Sequence, residues 1–120
     1  MIDLREYADL IREEVRKANV RDKNWKWSIK SVGKKIVRIR WGYLDYMEEK
    51  DNAFILEMDN EDADGNGGDW LWAKTPDRDH IQCWMVVEGV PNRNIGAECN
   101  IKNAIRWAIE EIEYYAHSRY

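Results

Sequence analysis

Residues Trp25 to Trp41, WKWSIKSVGKKIVRIRW, constrain the fold of this chain more than any other stretch. Trp25, Trp27 and Ile29 alternate with Lys26, Ser28 and Lys30, and Val37, Ile39 and Trp41 alternate with Arg38 and Arg40. A period of two places successive side chains on opposite faces of a strand, so the pattern predicts a sheet with one dry and one basic face. Gly33, between Val32 and two lysines, is the expected turn of this hairpin. A dry face carrying three tryptophans has to be covered by another layer.

Amphipathic segments at the two ends supply that cover. Leu4, Tyr7, Ala8, Ile11, Val15 and Ala18 follow helical spacing, which predicts a helix over residues 3–19. Asp3 with Glu6 three residues on has the form of a capping box, and Asn19 is the expected stop. Ile101, Ala104, Ile105, Ala108, Ile109, Ile112 and Ala116 make a second stripe, predicting a helix from about Ile101 to His117 capped by Asn100. Between them lie three further strand patterns. Residues 53–58 place Phe54, Leu56 and Met58 on one face, Trp70 to Lys74 form a short run, and Ile81 to Val87 set Ile81, Cys83, Met85 and Val87 against Gln82, Trp84 and Val86. A connection after Gly42 and a loop over 89–99 separate these pieces. The expected architecture is α+β, one domain over residues 1–120: an antiparallel sheet of about five strands with both terminal helices on its dry face.

At 120 residues with 44% apolar side chains, seven tryptophans and six tyrosines, the chain has ample material for one core, and most of the tryptophans are expected in it. No apolar run reaches the ~20 residues of a membrane helix, and the charged start MIDLREYADLI lacks the apolar region of a secretory signal. The expected location is therefore the cytoplasm, with Cys83 and Cys99 reduced and Cys83 a small core residue.

The net charge of −4 conceals a segregation. Residues 21–40 hold eight Lys/Arg against Asp22, net +7, and residues 45–69 hold ten acids against Lys50, net −9. Either oppositely charged strands pair with each other, or the field orients a charged partner.

No motif in the chain names a reaction. His80 and His117 have no Cys or His at ligand spacing, which argues against zinc. Asn60, Asp62, Asp64, Gly65 and Asn66 match the first half of a calcium loop, yet Leu71 stands where the bidentate acid belongs. No catalytic residue, metal or cofactor is therefore assigned. Two surfaces remain. Lys26, Lys30, Arg38 and Arg40 share the basic face, with Trp84 expected exposed nearby, a combination suited to nucleic acid or a nucleotide ligand. The acidic segment with Asp59, Glu61, Asp62, Asp64 and Asp69 is suited to imitating nucleic-acid phosphates toward a basic protein groove.

Ile11-Arg12-Glu13-Glu14-Val15-Arg16-Lys17-Ala18, then Trp27-Ser28-Ile29, then Val37-Arg38-Ile39-Arg40-Trp41 form a helix–strand–strand series. It resembles the large polyvalent protein-associated domains of the twenty-ninth type. The usual Phe-Pro after the helix is replaced here by Val20-Arg21-Asp22, and the Asp-Gly-Pro after the second strand by Gly42-Tyr43-Leu44. The resemblance carries no catalytic residues. It implies a phage or mobile-element setting, where such modules often travel with counter-defence functions. With no catalytic motif and an acidic segment, the expected function in that setting is an accessory protein that binds and inhibits a host defence complex, of the anti-CRISPR or anti-restriction type.

Overall fold

The computed structural model describes residues 2–23, 25–43, 53–87 and 98–119. The connection expected over 44–52 and most of the loop expected over 89–99 lie outside the described residues.

The chain enters through a 3₁₀ turn, Leu4–Tyr7, capped by the Asp3 carboxylate, which accepts from the Arg5 backbone N–H. Helix α1 follows over Ala8–Arg21, two residues past the expected stop. Strands β1 (Trp25–Val32), β2 (Ile36–Tyr43), β3 (Ala53–Glu61), β4 (Gly67–Lys74) and β5 (His80–Val86) form an antiparallel meander in sequence order. The expected α+β sheet of about five strands is thus present, with helices at both ends. A short β6 (Glu98–Cys99), absent from the sequence-based expectation, adds parallel to β5. Helix α2 (Ile101–Arg119) closes the fold, with Asn100 Oδ1 accepting from the Asn103 N–H at 2.9 Å.

Register fixes the dry face. Trp27 pairs with Trp41, Ile29 and Phe54 flank Ile39, Leu56 pairs with Ala73, and Met58 with Leu71. These side chains meet Ile11, Val15, Ala18, Ile105, Ala108, Ile109 and Ile112 from the two helices in one core. Helix α1 packs on β1, and α2 on β4 and β5. The helices lie side by side and run in the same direction. Glu14 pairs with Arg106, and two turns further along each helix Arg21 pairs with Glu113. The N-terminal segment is fastened beneath the first hairpin, where Leu4 N–H donates to Lys34 O at 2.8 Å and Leu4 is fully buried.

Asn19 has a different task from the one expected. Its side chain donates to Trp27 O at 2.9 Å and accepts from Trp27 N–H at 2.6 Å. A carboxamide thereby occupies the outer backbone of the sheet's edge strand, where a second chain would otherwise pair. Asn19→Ala is expected to cost about 1–2 kcal/mol and to accelerate exchange of the Trp27 amide hydrogen, measurable by urea denaturation and NMR. Unchanged Trp27 exchange would show that the edge does not depend on this side chain.

Two expectations about β5 are overturned. Leu71 on the dry face stands opposite Trp84, so Trp84 and Val86 lie under the helices, and Trp84 is 8% exposed. Trp84 is therefore not an exposed platform beside the cations. Cys83, expected in the core, is half-buried opposite Trp72 on the other face; Cys99 is the fully buried thiol. Burial pushes the Cys99 thiol up to about 11.

Candidate functional site

Both helices pack on one face of the sheet, and among the described residues no helix covers the other. Lys26, Lys30, Arg38 and Arg40 all stand on that helix-free face, as the alternation predicts. A β-bulge between Ile29 and Ser31 aids this placement. Ser31 pairs with Arg38 and Val32 returns to Val37 on the dry side, so Lys30 is the extra residue and stays with the cations. Lys26, Lys30 and Arg38 are exposed and Arg40 is half-buried.

Three of the four come together. Lys30, Arg38 and Arg40 line a pocket of about 270 Å³ whose apolar wall is Ala53, Ile55 and Pro76. Strand β3 supplies that wall because Ala53 pairs with Arg40 and Ile55 with Arg38. Pro76 is brought over by the β4–β5 turn, where Thr75 N–H donates to Asp79 O, Arg78 N–H to Thr75 O, and the Thr75 hydroxyl to the Asp77 carboxylate. Lys26 lies on the same face, opposite Gly42 and outside this pocket. No acid among the described residues pairs with Lys26 or Arg38.

The remainder of the helix-free face satisfies itself. Trp72 donates from Nε1 to Glu61 O at 3.1 Å, and Trp70 to Gly67 O at 3.3 Å. Lys74 lies 4.6 Å from the centre of the Trp72 ring and bonds Glu57 at 3.1 Å, while His80 meets the same indole edge-on. Trp70 and Trp72 are consequently buried although no helix covers them. Cations at one end and packed indoles at the other divide this face into a cationic region and a closed region.

The acidic residues occupy the β3–β4 hairpin and do not converge. Glu61 and Asp64 are exposed; Asp59, Asp62 and Asp69 are half-buried. Asp62 is turned to the loop itself, accepting from the N–H groups of Asp64 (3.0 Å) and Asn66 (2.8 Å) and from Asn66 Nδ2 (3.1 Å). Partial burial works to raise its pKa, but these hydrogen bonds outweigh it and hold the carboxyl below its ordinary value. Gly65, at φ 81°, occupies a conformation that other residues adopt at a cost. The result is a self-bonded knob that presents Glu61 and Asp64.

Sequence reasoning missed a second group of ionisable side chains at the shared end of the two helices. Asp22, 7% exposed in its side chain, accepts from Trp27 Nε1 at 2.8 Å and lies 2.9 Å from His117 Nε2. Glu113 hydrogen-bonds the same carboxyl and pairs with Arg21 at 3.1 Å. Burial first, then the hydrogen bond to Asp22 and its charge, raise Glu113 to about 7 against the opposing pull of Arg21. Glu113 therefore favours its protonated form beside Asp22, and Trp25 stacks on His117 at 5.2 Å. The only hint in the sequence is that Glu113 and His117 lie one turn apart on α2; Asp22 comes from the far end of the chain.

No family model, no curated protein and no solved structure matches the chain. No helix among the described residues is long and apolar enough to cross a membrane.

Proposed function

We propose that this protein is a binding protein without catalytic chemistry of its own, and that it holds a phosphate-bearing partner, single-stranded nucleic acid or a nucleotide, on its helix-free sheet face. The observation that carries this is the convergence of Lys30, Arg38 and Arg40 on one pocket with an apolar wall. Guanidinium and ammonium groups bind phosphate oxygens by charge-assisted hydrogen bonds, and the wall gives an uncharged part of the ligand a dry seat. With Trp84 buried on the opposite face, base contact falls to Ala53, Ile55 and Pro76 rather than to an aromatic platform. Labelled single-stranded DNA or RNA should bind at low salt, with log affinity falling linearly against log salt. Changing Lys26 and Arg38 together to Ser should weaken binding at least ten-fold and flatten that slope. A folded protein that binds neither strand at low salt removes this function.

A second proposal follows from the acidic hairpin. Exposed Glu61 and Asp64 project from a loop already ordered by Asp62, which suits a rigid contact with a basic protein groove. The likeness of residues 11–41 to a phage and mobile-element module supports a host defence complex as that partner. Capture from host lysate should then be salt-sensitive and lost when Glu61, Asp62 and Asp64 become Ser; capture that survives the replacement rules out phosphate imitation.

A further inference from the structure

We infer that the ligand of the helix-free face is a nucleic-acid single strand lying lengthwise on the β1–β2 hairpin, from Arg38 past Ser28 to Lys26, over a span of about four nucleotides. This rests on the proposed function and narrows it, choosing a strand over a lone nucleotide and giving its path. Which cations are open to a ligand is the first argument. Lys30 and Arg40 are already engaged within the protein. Lys26 and Arg38 are exposed, and no acid among the described residues pairs with either. Arg38 lines the pocket and Lys26 lies outside it, so the open charge sits at two separate points.

Distance is the second. Lys26 stands opposite Gly42, four residues along β2 from Arg38, which is ~13 Å at ~3.3 Å per residue. Side chains stand roughly perpendicular to a sheet, so the two charges keep that separation and call for two phosphates. Phosphates follow one another every ~3.4 Å along a stacked strand, so about four nucleotides bridge the gap, and fewer when the strand is drawn out. The surface along this path is the third argument. Next to Lys26 on the same face β1 carries Ser28, whose short side chain leaves the path low. Beside Arg38 stand Ile55, Ala53 and Pro76, an apolar wall. An acidic peptide would match the two cations and bring nothing flat to that wall. Each nucleotide joins a phosphate to a base, and guanidinium planes also stack on bases.

The test is titration calorimetry on the full chain at low salt, with 5′-phosphorylated oligothymidylates from the mononucleotide to the octanucleotide and a polyglutamate of matched charge. Affinity should climb up to about four nucleotides, by at least ten-fold over the mononucleotide, and then level off. Arg38→Gln should weaken binding at every length. Lys26→Gln should remove the gain between mononucleotide and tetranucleotide, and should make the tetranucleotide's salt slope shallower by about 0.7, the share of one neutralised phosphate. Both positions are exposed, and far-UV circular dichroism verifies that each variant keeps the fold. Equal affinity at every length, or a length gain that survives Lys26→Gln, overturns the lengthwise path but leaves phosphate binding on this face standing. Polyglutamate that binds as tightly as the octanucleotide overturns nucleic acid as the occupant. Absence of binding by every probe overturns the path and the proposed function together.

Discussion

Trp27→Ala should lower the stability of this protein by about 3–5 kcal/mol, a large part of the 5–15 kcal/mol typical of a domain. The indole is 2% exposed and lies at the centre of an aromatic slab. Trp41 and Phe54 stack on it with ring centres 5.8 and 6.4 Å away, Trp25 packs on Trp41 at 4.5 Å, and Tyr115 meets Phe54 edge-on. Removing the ring leaves a cavity that flanking rings cannot fill, since their own positions are fixed by strand register and by α2. It also strips Asp22 of its indole donor. Trp27→Phe separates the two losses: most of the packing stays while the hydrogen bond goes, for an expected cost of about 1–2 kcal/mol. Urea denaturation followed by far-UV circular dichroism reads both. An alanine variant within 1 kcal/mol of the parent would mean that the slab does not hold the hairpin to the helices.

That slab was legible from the sequence because alternation is a local code. Trp25, Trp27 and Trp41 declare their face by period two, and Phe54, Leu56 and Met58 declare theirs in the same way. Both helices follow from single stripes, but only α2 keeps its expected cap, Asn100, since Asp3 caps the 3₁₀ turn ahead of α1 and α1 itself has no side-chain cap. The code failed in β5, where Ile81, Cys83, Met85, Val87 and Trp84, Val86 are equally apolar sets. When both faces of a strand bury side chains, alternation cannot say which set meets the helices. Here it is Trp84 and Val86, because Leu71 opposes Trp84 and the other face is dry on its own account through Trp70 and Trp72. The two-residue β6 is too short to carry any periodicity.

The binding face was half legible. Lys26, Lys30, Arg38 and Arg40 could be placed together because a hairpin pairs neighbours in sequence. The wall of the pocket could not, since Ala53, Ile55 and Pro76 arrive from β3 and from the turn beyond β4, and nothing in their own sequence marks them. The Asp22–Glu113–His117 group was wholly illegible for the same reason. It joins opposite ends of the chain, and it exists only because α1 and α2 run side by side in the same direction.

That group makes stability depend on pH with a definite sign. Glu113 is raised from 4.5 to about 7 in the folded protein, so between these values the native state holds a proton that the unfolded chain has shed. The stabilisation is complete below about pH 4.5, declines as pH rises toward 7, and is gone above it. The side chain keeps some contact with solvent, at 16% exposure beside Arg21, so solvent screening reduces the expected loss to about 1–2 kcal/mol. Glu113→Gln keeps a neutral, hydrogen-bonding side chain and should flatten the profile over this window while leaving His117, Arg21 and Asp22 in place. Asp22→Ala acts more strongly. It deprives Trp27 Nε1 and His117 of their shared acceptor and leaves Glu113 in a largely buried site without its carboxyl partner. The expected cost is about 3 kcal/mol at pH 5, with a shallower pH slope than the parent because only burial then holds the Glu113 proton. Urea midpoints from pH 5 to 8 for the parent and both variants decide the matter. A parent profile that rises across this range, or a Glu113→Gln profile that falls as steeply as the parent's, would mean that Glu113 does not hold its proton at the helix ends.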